Sequence, residues 1–239
     1  GNVALWKPAS SAVYPCHFIM KLLKEAGLPD GVINFLPGSG GEVGDPVLKN
    51  KNLAGVHFTG STETFQHIWK TIGTNINLYN TYPRIVGETG GKDFCLAHES
   101  ANIEELVTAM IRGAFEYQGQ KCSAMSRAYI PETIWKELKE KYLSELETIK
   151  VGSPRDFTNF MNAVIDKPAF DSITKYIDYA KNADETELIS GGKYDDSVGY
   201  YIQPTTILTS DPLFKTMEEE IFGPVLTIYL YDPADWDNT

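Results

Sequence analysis

Apolar residues in the first part of the chain fall into short runs that alternate with stretches of helical spacing. The predicted strands are residues 3–6, 32–36, 53–58 and 84–86, and the predicted helices are residues 11–25, 42–50 and 63–72. Gly27 supplies the stop after the first helix. Short strands that alternate with helices of about ten residues predict right-handed βαβ crossovers and a parallel sheet buried on both faces.

A second series of helices and strands follows the glycine-rich loop at residues 87–92. Helices are predicted at residues 103–117, 132–149 and 167–182, and strands at residues 126–130, 187–189 and 226–231. The helix at 132–149 carries an apolar stripe, typical of packing on a core, that consists of Ile134, Leu138, Tyr142 and Leu146. The change of pattern at the loop predicts a domain boundary, with one domain at residues 1–89 and another at 90–239.

Composition narrows the class of protein mainly by exclusion. The 239 residues are 42% hydrophobic, enough to bury a sizeable core. They contain no run of ~18 apolar residues that could span a bilayer, so the sequence predicts a soluble protein. A formal net charge of -11 argues against nucleic acid as a partner, because phosphate backbones are bound by basic patches.

The spacing of cysteine and histidine excludes several kinds of site. The three cysteines form no CxxC pair and their number is odd, so no disulfide framework is predicted and a reducing, intracellular compartment fits best. The four histidines show no HExxH or similar ligand spacing. We therefore predict no metal site.

Two glycine-bearing turns separate a predicted strand from a predicted helix. In the first, GSGG at residues 38–41, backbone N–H groups near Gly40 could hold phosphate, but Val43 stands where the third glycine of GxGxxG belongs. The second turn, FTGST at residues 58–62, contains Gly60 and Ser61. On their own, both are also explained as turns that need glycine for backbone reasons.

Two further positions suggest catalysis. Cys122 stands beside the positive Lys121 in a polar loop, a setting that favours an exposed, reactive thiol, although a lone cysteine is more often inert. Glu88 follows an apolar strand in a glycine-rich loop, where a catalytic carboxylate can sit at the end of a sheet, although an isolated loop glutamate is more often a solvated charge. The acidic run at residues 218–220 is by itself typical of a solvated helix end.

Three segments taken together resemble the aldehyde dehydrogenase superfamily in order and spacing: GETGGK at residues 87–92, GQKC at 119–122 and EEIFGP at 219–224. The resemblance covers the whole chain. It implies an α/β fold in which a Rossmann-like parallel sheet, part of an NAD-binding domain at residues 1–89, precedes part of an α/β catalytic domain at 90–239. It also explains the failed GxGxxG match, since the family binds its dinucleotide without that fingerprint.

The family mechanism, carried over to this chain, makes Cys122 the nucleophile that attacks an aldehyde carbonyl. The resulting thiohemiacetal gives a hydride to nicotinamide and leaves a thioester. Glu88 is then similar to the general base that activates water to hydrolyse this thioester, a role that suits a carboxylate in a partly buried loop.

The same resemblance implies NAD as the cofactor. The positions that it assigns to cofactor binding are Lys7, Ser10, Gly40, Gly60, Ser61, Glu220 and Phe222. Ser10 stands where many NAD-preferring members have a glutamate that repels a 2′-phosphate, so selectivity against NADP is less secure. Phe65 replaces a glycine that is common in the turn helix, which would alter how the pyrophosphate lies.

Within the superfamily, the segments at residues 82–92, 115–124 and 192–200 resemble the 1-pyrroline-5-carboxylate dehydrogenases. That branch implies oxidation of L-glutamate 5-semialdehyde to glutamate, with Ser123 on the substrate carboxylate; alternatively, Ser123 is a polar loop filler. Three other hypotheses remain: a dehydrogenase for another acid semialdehyde, a non-catalytic scaffold with the same fold, and a cysteine hydrolase. Retention of Cys122 and Glu88 argues against the scaffold, and the lack of a positioned histidine against the hydrolase.

The resemblance also implies that this chain is the central part of a longer protein. The family's oxyanion asparagine, dimerisation hairpin and substrate-anchoring loop are expected outside residues 1–239. Because one oxyanion donor contributes ~10²–10³ in rate, we expect the segment alone to be inactive. For the intact protein we expect a homo-oligomer without a membrane partner, in the cytoplasm of a bacterium or the mitochondrial matrix of a eukaryote.

Overall fold

The computed structural model describes all residues from Gly1 to Thr239. They divide into two compact units, Gly1–Thr89 (unit 1) and Gly90–Thr239 (unit 2). None of the helices combines the length and the apolar character that crossing a membrane requires.

Unit 1 consists of strands that alternate with helices. Its strands are β1 (Ala4–Trp6), β2 (Ile33–Phe35), β3 (Gly55–Thr59) and β4 (Arg84–Glu88), and its helices are α1 (Val13–Glu25), α2 (Asp45–Leu48) and α3 (Thr62–Thr74). β1 pairs with β2 and β3 with β4, both in parallel. The predicted alternation and parallel pairing are therefore confirmed, although the strands form two separate pairs.

Local chemistry sets the ends of these helices. Gly27 follows α1 with a φ of +96°, a left-handed conformation that glycine adopts without steric strain, as the sequence predicted. Ser61 precedes α3, and its hydroxyl accepts a hydrogen bond from the Thr64 N–H at 3.2 Å. The helix predicted at 42–50 is shorter, because residues Gly40–Gly44 form a π-helical turn before α2 begins.

The prediction that the sheet is buried on both faces is wrong for unit 1. Val56 and Ile85 pack on a small cluster formed by Leu48, Ile68 and Ile72. Val86, which points to the opposite face of β4, is 56% exposed. The helices of the unit thus cover one face of the β3–β4 pair and leave the other open.

Unit 2 contains a five-stranded sheet of order β5-β6-β11-β10-β7, parallel except for β7. Its strands are β5 (Phe94–Leu96), β6 (Arg127–Pro131), β7 (Thr186–Ser190), β8 (Tyr194–Asp195), β9 (Tyr201–Ile202), β10 (Thr205–Thr209) and β11 (Val225–Tyr231). Its helices are α4 (Ile103–Phe115), α5 (Glu132–Leu146), α6 (Lys167–Lys181) and α7 (Lys215–Glu218). β8 and β9 form a separate antiparallel pair.

The sheet of unit 2 is covered on both faces. Leu226 and Ile228 of β11 belong to a core cluster with residues of α4 and α5, whereas Val225 belongs to a cluster with residues of α6. Alternate residues of a strand point to opposite faces, so each face has its own apolar layer. The apolar stripe predicted for α5 is confirmed, since Leu138, Tyr142 and Leu146 are buried and Ile134 packs against the same cluster.

Strand β10 was not predicted, because it reads TTILT and threonine looks polar in a hydropathy pattern. Thr205, Thr206 and Thr209 are nonetheless buried. Their hydroxyls have hydrogen-bond partners: that of Thr206, for example, lies 2.7 Å from the Tyr142 hydroxyl. A buried hydroxyl with a partner avoids the desolvation penalty, and β-branched threonine suits a strand.

Candidate active site

The cysteine loop of unit 2 begins with an abrupt end to α4. The helix predicted to reach residue 117 stops at Phe115, and Tyr117, Gln118 and Gly119 have φ values of 55°, 59° and 66°. Left-handed backbone at two non-glycine residues is costly and persists where the surroundings enforce it. Here Gln118 donates to the Ala163 carbonyl at 3.2 Å, and its side chain is buried.

Gly119 is required by a close approach of two backbone segments. A Cβ at this position would lie 2.3 Å from the Gly223 carbonyl oxygen and 2.8 Å from that of Ala114. Neither contact leaves room for a side chain. The cysteine loop therefore packs directly against the EEIFGP segment at residues 219–224.

Cys122 and Ser123 are both exposed, as expected for a nucleophile and its neighbour. The sequence suggested that the positive charge of Lys121 acts on the neighbouring thiol. In the structure the Lys121 ammonium instead forms an ion pair with the Glu116 carboxylate, at 2.5 Å. Glu116 also pairs with Arg112 at 2.6 Å, and the hydrogen bond from Lys121 is the main cause that holds the pKa of Glu116 below its ordinary value. The positive charge beside Cys122 is thus balanced by an ion pair.

The glycine loop at residues 90–91 contacts both other motifs of unit 2. The Gly91 N–H donates to the Glu220 carboxylate at 2.8 Å, and a Cβ on Gly90 would lie 2.0 Å from the same carboxylate. A Cβ on Gly91 would lie 2.3 Å from the Cys122 carbonyl oxygen. Both glycines are therefore needed for these approaches.

One cleft of unit 2 is lined by all three motif segments. Among its lining residues are Gly91, Gly119, Lys121, Glu220, Phe222 and Gly223. Phe222 has a φ of 56° and is 44% exposed, so this aromatic ring is held out from the turn rather than buried in the core. Cys122 and Glu220 lie far apart in the sequence, but the backbone segments that carry them pack against each other.

Sequence reasoning assigned no role to Lys92, the last residue of the GETGGK motif. Its Nζ is buried without a hydrogen-bond partner. Burial, the positive Arg127 nearby and, in the opposite direction, Glu220 and Glu219 bring the pKa of Lys92 to about 8. Nothing in the hydropathy pattern reveals this, because an exposed loop lysine would have the same sequence.

In unit 1, Glu88 is the last residue of β4 and is exposed. The expectation that it lies in a partly buried loop is therefore wrong within this unit, and burial supplies no support for its role as a base. Its backbone carbonyl accepts a hydrogen bond from the Gly60 N–H at 3.1 Å. The structure thus brings Glu88 and the Gly60–Ser61 turn together at the ends of β3 and β4.

The other predicted cofactor residues of unit 1 also lie at the carboxyl ends of strands. Lys7 follows β1, and its ammonium reaches the Gly38 carbonyl beyond β2 at 3.3 Å. Ser10 opens a short 3₁₀ helix and Gly40 a π-helical turn. Crevices beyond the carboxyl ends of parallel strands are where open α/β sheets bind nucleotides, and the N-terminus of α3 offers N–H groups for a phosphate. These residues fit a dinucleotide.

Phe65, the departure from the family pattern, has a clear packing role. Its ring stacks on Phe58 with centroids 6.1 Å apart. A Cβ on Gly87 would lie 2.3 Å from the Phe65 ring. The phenylalanine therefore fills the space above a glycine of β4, one residue before Glu88.

The comparisons with known proteins agree with this geometry. A model of the aldehyde dehydrogenase family matches residues 1–236. The chain belongs to the aldehyde dehydrogenase family. The resemblance inferred from the three motifs and the α/β fold class are both confirmed.

Among the relatives of this aldehyde dehydrogenase chain is the mitochondrial Delta-1-pyrroline-5-carboxylate dehydrogenase of Dictyostelium discoideum, 53% identical over all of this chain and 43% of that protein. The corresponding human protein is 44% identical with the same coverage. A crystal structure of the Mycobacterium tuberculosis Delta-pyrroline-5-carboxylate dehydrogenase bound with NAD has a TM-score of 0.93 and 45% identity, and covers 100% of this chain and 43% of that one. The chain therefore spans less than half the length of these relatives.

No group of three or more His, Cys, Asp or Glu side chains in the structure could hold a metal ion. The charged side chains that line the cleft of unit 2 are those of Lys121 and Glu220.

Proposed function

We propose that this chain is part of an NAD-dependent aldehyde dehydrogenase that oxidises L-glutamate 5-semialdehyde, the open form of 1-pyrroline-5-carboxylate, to L-glutamate. The observation that carries the proposal is the joining of three family motifs by close backbone contacts in unit 2, where Gly91 meets both Cys122 and Glu220. The names of the relatives support the substrate, and the NAD-bound relative supports the cofactor.

Cys122 would act as the nucleophile. Its thiol first loses a proton to solvent, the thiolate sulfur bonds to the aldehyde carbon, and the carbonyl electron pair moves to oxygen. When a hydride leaves that carbon, the C=O bond re-forms and a thioester remains. NAD, when bound, supplies the acceptor for this hydride. The exposure of Cys122 permits a substrate to reach it.

Glu88 would act as the general base for the second half of the reaction. It takes a proton from water, the hydroxide oxygen bonds to the thioester carbon, and the carbon–sulfur bond breaks to release the acid and restore Cys122. The position of Glu88 at the end of β4 supports this role, because a strand end presents the carboxylate at the edge of a sheet.

The residues proposed for cofactor binding are those that the family resemblance assigns. Lys7, Ser10, Gly40, Gly60 and Ser61 lie at strand ends in unit 1, and Glu220 and Phe222 lie in the cleft of unit 2. We accordingly assign residues 1–89 to an NAD-binding domain and residues 90–239 to a catalytic domain. The amide contact that orients Glu220 supports a role in accepting hydrogen bonds from a ribose.

Ser123 would recognise the carboxylate of the substrate. It is exposed and adjacent to Cys122, so its hydroxyl can reach a group attached to the same substrate. A homo-oligomer, an intracellular location and the inactivity of the isolated segment stay predictions.

The test is a substrate panel on the full-length protein that carries this segment. NADH formation would be compared for L-glutamate 5-semialdehyde, a shorter acid semialdehyde and pentanal. The proposal expects the highest kcat/KM for L-glutamate 5-semialdehyde. A higher value for another acid semialdehyde would transfer the assignment to that substrate, and thiol-dependent ester hydrolysis without any NADH formation would favour a cysteine hydrolase.

A further inference from the structure

Tyr117 and Gln118 of the cysteine loop have a left-handed backbone that the proposed reaction does not explain. Their φ values are 55° and 59°, and this conformation at two successive non-glycine residues persists only where neighbouring groups enforce it. Close packing on Gly223 accounts for Gly119, the residue that follows them. The groups that bind the side chains on either side of Gly119 lie in another segment, residues 163–165.

Two glutamine side chains of the loop bind the backbone of that segment. The Gln118 Nε2 donates to the Ala163 carbonyl at 3.2 Å, and the Ile165 N–H donates to the Gln120 Oε1 at 2.8 Å. The Gln120 Nε2 makes only a long contact, at 3.4 Å, with the Tyr117 carbonyl. One side-chain amide thus serves as donor and the other as acceptor, and we call this pair of hydrogen bonds the glutamine clamp.

Gln118 is the buried member of the glutamine clamp. It is 6% exposed, and it carries the only amide side chain among the buried residues of the chain. A buried amide that loses its partner still bears the cost of desolvation, so its hydrogen bond matters more than an exposed one. Gln118 therefore strongly favours the loop conformation in which it reaches Ala163.

Residues 163–165 can support the loop because they are themselves fixed. Val164 is buried in the core cluster that contains residues of α6, and its N–H donates to the Tyr200 carbonyl at 2.9 Å. Directly after them, the Asp166 carboxylate caps α6 by accepting from the Ala169 N–H at 2.9 Å. The backbone groups that the glutamine clamp binds thus belong to the packed part of unit 2.

The turn that carries Cys122 begins directly after the glutamine clamp. The Lys121 carbonyl accepts a hydrogen bond from the Ala124 N–H at 3.1 Å, across Cys122 and Ser123. Gln120 immediately precedes Lys121. A change of the backbone at Gln120 would therefore move this turn and, with it, the thiol.

We propose that Gln118 and Gln120 are positioning residues that hold the cysteine loop on residues 163–165 and thereby fix the turn that carries Cys122. Their effect on aldehyde oxidation rests on the proposed function, because Cys122 is the proposed nucleophile. The glutamine clamp itself involves only residues of this chain. It can therefore be tested without NAD or substrate.

The first experiment measures hydrogen exchange of the Ala124 amide in the full-length protein without NAD, at single-residue resolution. Gln118→Met and Gln120→Met should each speed this exchange about ten-fold, because methionine has a similar length but cannot replace the amide hydrogen bond. Gln120→Glu should exchange as wild type does, since a carboxylate still accepts from the Ile165 N–H. Gln203→Met, at an exposed glutamine outside the loop, should also match wild type. Unchanged exchange of the α5 amides will show that each variant is folded.

Wild-type protection of Ala124 in either methionine variant would overturn the proposal. Exchange in Gln120→Glu as fast as in Gln120→Met would also overturn it, because the acceptor would then not be the feature that matters. Gln120 is less buried than Gln118, so its two variants keep the test decisive if Gln118→Met does not fold. Neither outcome depends on whether the protein binds NAD.

The second experiment separates the rate of the chemical step from cofactor binding. Single-turnover NADH formation, with enzyme in excess over L-glutamate 5-semialdehyde and NAD saturating, should be about ten-fold slower in Gln118→Met and Gln120→Met. The Kd for NAD, measured by isothermal titration, should stay at the wild-type value, because neither glutamine is among the residues assigned to the cofactor. A wild-type rate in both variants, or a Kd that rises as much as the rate falls, would contradict the positioning role. Absence of NADH formation in wild type would instead contradict the proposed function, while the Ala124 exchange still decides the role of the glutamine clamp.

Discussion

The two units of the chain differ in how their functional residues are held. In unit 2 the sheet has an apolar layer on each face, and large side chains such as Phe115 and Tyr142 are fully buried. In unit 1 the buried hydrophobic residues are only Met20, Leu48, Ile68 and Ile72. The difference indicates that unit 2 can fix its loops by its own packing, whereas unit 1 relies on strand pairing and helix caps.

The same contrast appears at the functional residues themselves. Gly91 and Gly119 of unit 2 sit where a single methyl group would collide with neighbouring backbone. In unit 1, Ser61 is fixed by its hydrogen bond to the Thr64 N–H, and Glu88 is fixed only through its backbone. Substitutions in unit 2 should therefore have the larger consequences.

The largest effect is expected at the nucleophile of unit 2. In the full-length protein, Cys122→Ala should lower dehydrogenase kcat/KM by more than about ten-thousand-fold, because no other group can form the bond to the aldehyde carbon. Cys16→Ala, a matched change in α1 of unit 1, should leave NADH formation near wild type. Steady-state NADH production that survives Cys122→Ala would refute the assignment.

A smaller effect is expected from substitutions that test how tightly each unit is packed internally. Phe115→Ala should lower the free energy of opening of α4 by about 3–5 kcal/mol, since a fully buried phenylalanine is replaced by a cavity. Phe18→Ala, at a position in α1 that is 49% exposed, should cost about 1 kcal/mol or less. Hydrogen exchange of the α4 and α1 amides measures both. Equal losses would remove the distinction between a packed unit 2 and a sparsely packed unit 1.

The smallest effect is expected at Ser123. Its hydrogen bond to a substrate carboxylate is worth roughly 1.5–3 kcal/mol, so Ser123→Ala should lower kcat/KM for L-glutamate 5-semialdehyde about ten- to a hundred-fold. Pentanal, which lacks the carboxylate, should lose little. If kinetics showed the same loss on both aldehydes, Ser123 would be a residue that positions the cysteine loop.

The sequence predicted most of the helices and strands because their local chemistry agrees with the fold. α6, for example, begins after Asp166, whose carboxylate accepts from the Ala169 N–H at 2.9 Å, and Pro168 occupies its first turn. β10 escaped prediction because its buried threonine hydroxyls are satisfied by partners distant in sequence, such as Tyr142. Such pairing cannot be inferred from hydropathy.

The candidate site also contains features that the sequence could predict and features that it could not. Cys122, Glu88 and Glu220 could be proposed from motifs, because their residue types and spacing are those of a known family. The left-handed backbone at Tyr117 and Gln118 could not be predicted, because neither residue type favours this conformation and tertiary contacts cause it. The burial of the Lys92 amine was equally hidden, because it depends on tertiary packing around the glycine loop.

The proposed mechanism makes Cys122 the nucleophile and Glu88 the base, and trapping the covalent intermediate tests these roles most directly. Glu88→Gln in the full-length protein would be mixed with NAD and L-glutamate 5-semialdehyde, quenched in acid and analysed by peptide mass spectrometry. The account predicts a pre-steady-state burst of NADH and a glutamyl thioester on the peptide that contains Cys122, because the thioester forms but is hydrolysed slowly. Absence of the burst, or an adduct on any other residue, would contradict it.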